Sequence, residues 1–254
     1  MKYLLLCAVL VSVSLVPGKS ARADVSLPSV IDSHMVLQRG MPLKIWGFAA
    51  KGEPVMVELA GAKATTTAND KGEWVVTLPA MKAGGPHKLT IAGNNRITLE
   101  DILVGEVWIG SGQSNMQWSV SASNNAGAEI GAAKYPNIRL FLVPNVLSGI
   151  PNKDVKADWK ACTPAAVPSF SAVLYYFGRH LHKELDIPVG LIASAWGGSL
   201  IEPWTPPPGF AGVKKVSGIS DNVRATQVAY LEALGKSPAS STPEAKAWLA
   251  EALA

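Results

Sequence analysis

The sequence predicts an α/β chain: a parallel-sheet domain over residues 101–254, preceded by a small all-β sandwich unit over residues 24–100. Three observations carry this. Residues 102–109, 138–143 and 189–193 are nearly all apolar, as strands buried on both faces of a parallel sheet are. Between the last two, Val173, Phe177 and Leu181 recur at helical spacing on a segment opened by Ser169 or Ser171 and closed before Pro188. Strand, helix and strand then form a right-handed crossover unit. Before residue 101, by contrast, apolar and polar residues alternate in short runs.

Taken in order, the first 23 residues read as a leader. Met1 and Lys2 precede an apolar run over residues 3–16, and Ala21-Arg22-Ala23 supplies a small-x-small cleavage site. The mature chain is expected to begin near Asp24 and to lie in the periplasm or outside the cell. The run is too short, and too near the terminus, to be preferred as a membrane span. Cys7 leaves with it, so Cys162 is the one mature cysteine and no internal disulfide is expected. Lys2, Lys19 and Arg22 leave too, which takes the formal charge from +4 to about +1. A nearly neutral chain with no run of Lys or Arg has no electrostatic footprint for nucleic acid.

In the β-unit, Leu43-Lys44-Ile45-Trp46 and Val55-Met56-Val57-Glu58-Leu59 alternate. Turn residues separate such runs at Gly61, at Asn69-Asp70-Lys71-Gly72 and at Gly93-Asn94-Asn95. Trp46 and Trp74 could stack on sugar rings, but an aromatic on an alternating strand is more often core, and core is the reading preferred for both.

Most of the functional information lies in Val104-Gly105-Glu106-Val107-Trp108-Ile109-Gly110-Ser111-Gly112-Gln113-Ser114-Asn115-Met116. An apolar strand that stops at small residues presents the next side chain at the carboxyl edge of a sheet, where open α/β folds hold their ligands. Ser114 is therefore read as a nucleophile; a Ser-Asn helix N-cap is the ordinary alternative. A second apolar strand, Val189-Gly190-Leu191-Ile192-Ala193-Ser194, runs into Ala195-Trp196-Gly197-Gly198-Ser199-Leu200-Ile201-Glu202-Pro203-Trp204. Paired glycines after a strand let backbone N–H groups face a ligand with no Cβ in the way, as an oxyanion hole requires; a tight turn is the alternative.

The two segments resemble the Gly-Gln-Ser-Asn-Met and Trp-Gly-Gly-Thr-x-Ile-Glu-x-Trp blocks of the sialate O-acetylesterase-like carbohydrate esterases, a branch of the SGNH-hydrolase superfamily. Ser199 stands where Thr is usual and keeps the hydroxyl. The stretch from Pro28 to Gly40, including His34-Met35-Val36-Leu37-Gln38-Arg39, and that from Phe170 to Ile192 follow the same family, with Leu174 at a position expected to be smaller. The resemblance implies an SGNH, flavodoxin-like hydrolase domain behind a β-sandwich, and a serine acyl-enzyme mechanism without metal or cofactor. Ser114 would attack the acetyl carbonyl, with the backbone N–H of Ser114 and of Gly197 or Gly198 holding the oxyanion. Gln113 and Asn115 would orient the nucleophile or the substrate, and Glu202 would belong to the pocket wall.

Family members also carry a third active-site block and, near their end, an Asp-x-x-His pair supplying base and orienter. This sequence has neither, and its histidines are His34, His87, His180 and His182. His180 and His182 lie two apart on a helix and do not share a face. His34 sits in the β-unit and His87 in a Gly-Pro turn, so each is read as structural or exposed. Residues 237–243 read as a polar linker, and a helix follows. The chain is accordingly read as the N-terminal part of a longer exported esterase whose hydrolase domain is incomplete at Ala254. Its expected substrate is an O-acetylated sugar, sialic acid first and acetylated xylan or another polysaccharide second. A catalytically dead glycan-binding scaffold is the reading from a different class.

Overall fold

A computed structural model describes residues 24–146 and 152–201, together with Trp204 and a few isolated positions beyond it. The expected leader, Glu202 and most of the expected linker and closing helix lie outside the described residues.

Seven strands come first: β1 (Val36–Gln38), β2 (Leu43–Phe48), β3 (Pro54–Leu59), β4 (Ala62–Thr67), β5 (Glu73–Leu78), β6 (Gly84–Ala92) and β7 (Arg96–Gly112). Alternation works as read, since β2, β3 and β5 each bury every second residue. After β7 come α1 (Ser114–Gln117), α2 (Ala126–Ala132), β8 (Tyr135–Leu142), β9 (Trp159–Cys162), α3 (Ala172–Leu185) and β10 (Val189–Ala195). His87 lies within β6, opposite Ile102, and not in a turn.

β2 and β5 pair antiparallel as a small separate sheet. The other strands form one mixed sheet in the order β4-β3-β6-β7-β10-β8-β9, with β1 beside β7. β7 is the strand that makes this possible. Its first half pairs antiparallel with β6, and Glu106 to Gly112 pair parallel with β10. The boundary expected between residues 100 and 101 thus falls inside a continuous strand. Composition changes there, from alternating to apolar, but the backbone ladder does not stop.

Asp101 marks the crossing point. It takes φ +58° within one of the two shifts of the β6–β7 register, between the Ile102–His87 and Leu99–Leu89 pairs, the signature of a bulge. The guanidinium of Arg139, on β8 and 4 % exposed, grips its carboxylate through Nη1 at 2.7 Å and Nη2 at 3.0 Å. Arg139 Nε also donates to the carbonyl of Pro136 at 2.8 Å, and His34 Nδ1 lies 2.7 Å from Asp101 Oδ2. The Arg139 hydrogen bonds, helped by His34, hold the Asp101 carboxyl below its ordinary range despite partial burial.

β10 lies between β7 and β8 and parallel to both. Side chains alternate across this sheet. Ile138, Leu140, Val189, Leu191 and Ala193 join a core with α3, whereas Phe141 and Trp159 join the core of the N-terminal strands. One face is therefore covered by a helix and the other by the β-unit, which explains the nearly continuous apolar character of β8 and β10. The edge strand β9 is only four residues long, too short to carry a period in the sequence.

α3 opens where expected: Ser171 Oγ accepts from the Leu174 N–H at 3.2 Å. Its buried face differs from the stripe that revealed the helix. Ala172, Leu174, Tyr175 and Gly178 are buried, while Val173 and Phe177 are exposed. Close approach is the reason. A Cβ at Gly178 would sit 2.5 Å from Leu191, and one at Gly110 would sit 2.8 Å from Leu174. Missing side chains on helix and strand let small residues form the contact, and Gly110 provides the room that Leu174 takes.

Beyond Gly105, β7 has β10 on one side and no strand on the other among the described residues. Trp108, 43 % exposed, meets Phe177 edge-to-face at 5.0 Å on this margin, and Ile109 is 68 % exposed. Cys162 is a free, buried thiol, pushed up to about 12 chiefly by desolvation. No helix among the described residues is long and apolar enough to cross a membrane.

Candidate active site

The two motifs meet because their strands are neighbours in register. Gly112 is the partner of Ala195, and the Trp196 N–H donates to the Gly112 carbonyl at 3.0 Å. Two residues beyond each partner lie Ser114 and Gly197. A Cβ built on Gly197 would stand 3.6 Å from the Ser114 Cβ, so serine and glycine loop face each other at the carboxyl edge of the parallel strands.

Ser114 is exposed and is the first residue of α1, where helix N–H groups lack intrahelical acceptors. Its side chain caps nothing, because the N-cap position belongs to Gln113, so the ordinary use of a Ser-Asn pair does not account for it. The hydroxyl donates to Gln113 Oε1 at 3.4 Å, a weak contact that leaves it available. Gln113 and Asn115 are both exposed beside it. None of the four histidines is hydrogen-bonded to Ser114 among the described residues; His34 faces Asp101, and His182 Nδ1 lies 2.7 Å from the Ile187 carbonyl.

Gly197 and Gly198 require glycine for different reasons. A Cβ at Gly197 would collide with Gln117 Oε1 at 2.7 Å, whereas Gly198 has open space around it but a φ of +77°. The Gly197 N–H donates to Gln117 Oε1 at 2.6 Å. No local signal singles out Gln117, since its spacing from Ser114 marks only the next turn of a helix. In the fold it ties the glycine loop to the serine helix, and its amide oxygen occupies the place a developing oxyanion would need at that donor.

Ser199 fixes the far side of the loop. Its Oγ donates to the Trp196 carbonyl at 2.7 Å and accepts from Trp204 Nε1 at 2.8 Å. The hydroxyl is the functional part of that side chain, which is why Ser can stand where Thr is usual. Beside the loop lies a cavity of about 190 Å³ lined by Met116, Gln117, Pro144, Ser171, Ala193 and Ala195. Small side chains at the ends of β10 leave room there for a group the size of an acetyl. No cluster of three His, Cys, Asp or Glu side chains among the described residues is placed to hold a metal ion.

No protein-family profile matches the chain. Curated relatives do. A sialate O-acetylesterase from Mus musculus is 36% identical over 209 residues, which covers 74% of this chain and 39% of the mouse protein. The Homo sapiens sialate O-acetylesterase is 35% identical over 208 residues, covering 74% of this chain and 40% of that protein. Among solved structures, a carbohydrate acetylesterase from Xanthomonas citri superposes with a TM-score of 0.71 at 36% identity, over 75% of this chain and 44% of that one. The chain thus spans well under half the length of the relatives it matches.

Proposed function

The chain belongs to the sialate O-acetylesterase-like carbohydrate esterases, and from this we propose that Ser114 is the nucleophile of an enzyme removing O-acetyl groups from carbohydrate. The observation that supports it most is the Gly112–Ala195 register, which sets Ser114 against Gly197. The hydroxyl oxygen attacks the acetyl carbonyl carbon while its proton passes to a base. The oxyanion is held by backbone N–H groups of Ser114 and of Gly197 or Gly198, once the Gln117 amide has moved aside. The sugar hydroxyl leaves with a proton, and water then releases acetate from the serine ester. The base and its orienter are read as the family's Asp-x-x-His pair, which these 254 residues do not contain.

In this reading residues 101–254 belong to an SGNH, flavodoxin-like hydrolase domain and residues 24–100 to a β-sandwich before it. Residues 1–23 are a cleaved export signal. Gln113 and Asn115 orient nucleophile or substrate, and Glu202 lines the pocket. An O-acetylated sialic acid is the first substrate, an acetylated plant polysaccharide the second.

Ser114→Ala, in the protein expressed from its complete reading frame, should lower turnover of 4-nitrophenyl acetate and of an acetylated sugar by about 10⁴-fold or more, with unfolding unchanged. Activity within a few fold of wild type would remove Ser114 from the role. One observation favours a non-catalytic scaffold instead, namely that no described histidine reaches Ser114. A complete reading frame without a downstream Asp-x-x-His, giving an inactive protein, would select it.

A further inference from the structure

We propose that the outer face of the β2–β5 sheet is a second carbohydrate site, built to take a neutral pyranose of the glycan and separate from the Ser114 edge. The register sets Trp46 beside Val75 and Phe48 beside Glu73, all on the face turned away from the core, while the core face takes Ile45 and Val76. Trp46 is 40 % exposed where the sequence suggested core. Trp74 does lie in the core, at 3 %, on the opposite face of the sheet, where a Cβ at Gly47 would stand 2.7 Å from its ring.

The hollow measures about 370 Å³ and is assembled from three stretches of chain. Trp46 and Phe48 come from β2, Asn69 from the turn into β5, Glu73 from the start of β5, and Lys153 from the segment before β9. Lys153 Nζ sits 2.9 Å from Glu73 Oε1 and 5.5 Å from the centre of the Phe48 ring. A remote segment is thus pinned over an aromatic by an ion pair, which a solvated strand face does not need.

The chemistry matches a sugar. A pyranose offers an apolar C–H face to a flat ring and a rim of hydroxyls to polar groups, and sites of this kind pair aromatic walls with a few fixed donors and acceptors. Trp46 supplies the platform; the Glu73 carboxylate, the Asn69 amide and the Lys153 ammonium supply the rim. Glu73 and Lys153 neutralise each other, so the hollow has no net charge to offer an acidic sugar or a phosphate.

The site does not depend on Ser114, so its failure and that of the esterase reading are distinguishable. Titration calorimetry of the full chain with unacetylated xylohexaose, cellohexaose and chitohexaose, and with sialyllactose, tests it. At least one neutral hexasaccharide should bind. Trp46→Ala and Val75→Lys, the second filling the hollow from an exposed position, should each weaken binding by about tenfold or more, the scale of one lost aromatic contact. Trp118→Ala, an exposed tryptophan near Ser114, should leave it unchanged. Binding to none of the neutral glycans would overturn the proposal. So would loss of affinity in Trp118→Ala with none in Val75→Lys, or a preference for sialyllactose.

Discussion

Removing the Arg139 guanidinium as Arg139→Met tests whether the junction between the two halves of β7 is held by charge. The side chain is almost fully buried and makes two hydrogen bonds to Asp101, one to the Pro136 carbonyl and a long one to the His34 carbonyl. Taking one partner from a buried pair costs about 3–5 kcal/mol, but the Asp101 side chain is 35 % exposed and recovers hydration, so about 2–3 kcal/mol is expected at pH 7. The sign of the pH dependence follows from Asp101, whose carboxyl is held low by Arg139 and then by His34. A depressed acid contributes stability that is present above the unfolded pKa, about 3.9, and is lost as pH falls through the lower folded value. Wild type and Arg139→Met should therefore differ equally at pH 7 and pH 5, and less at pH 3. Adding Asp101→Asn to Arg139→Met should cost less than the sum of the two single changes. Urea unfolding gives all of these. A difference below about 0.5 kcal/mol at pH 7, or one undiminished at pH 3, would refute the reasoning.

Other substitutions probe the site and the sheet margin. In an active full-length protein Gly198→Ala, forced to φ +77°, should strain the loop by about 1–2 kcal/mol and cut turnover by about 10²-fold. Gly197→Ala displaces only the end of Gln117 and should be partly relieved by Gln117→Ala; equal losses without relief would count against the assignment of the two glycines. Ser199→Ala removes two hydrogen bonds, about 1 kcal/mol each, and should loosen Trp204 as seen in tryptophan fluorescence, with Ser199→Thr restoring the signal. The open margin of β7 should drive self-association of the chain in size-exclusion chromatography, and Ile109→Lys should reduce it. An unaltered profile would mean that the margin is not sticky.

Much of this was legible because local chemistry and fold agreed. Ser171 caps α3, β8 and β10 are apolar, and the alternation of β2 and β3 matches their burial. The Gly-Gln-Ser-Asn-Met and Trp-Gly-Gly strings pointed to one edge, although only the β7–β10 register explains why strings about eighty residues apart meet. What escaped was long-range. Nothing local says that Asp101 is gripped by Arg139, or that Gln117 bonds to Gly197. Trp46 and Trp74 look alike in sequence, on strands of the same alternation. Their fates differ because β2 and β5 offer one face to the core and one to water, and parity decides which residue goes where.

The single strand that serves both sheets also orders events in time. As the chain emerges from the ribosome, β6 and β7 are close in sequence and can pair at once, whereas β10 arrives some eighty residues after the parts of β7 it joins. Because the ladder runs on without a break, the early pairing extends the rest of β7 and holds its end as a ready template on which β10 can dock. A deletion that removed residues 24–95 would then slow and misdirect assembly of the parallel sheet, since the remaining β7 would have to find β10 unaided.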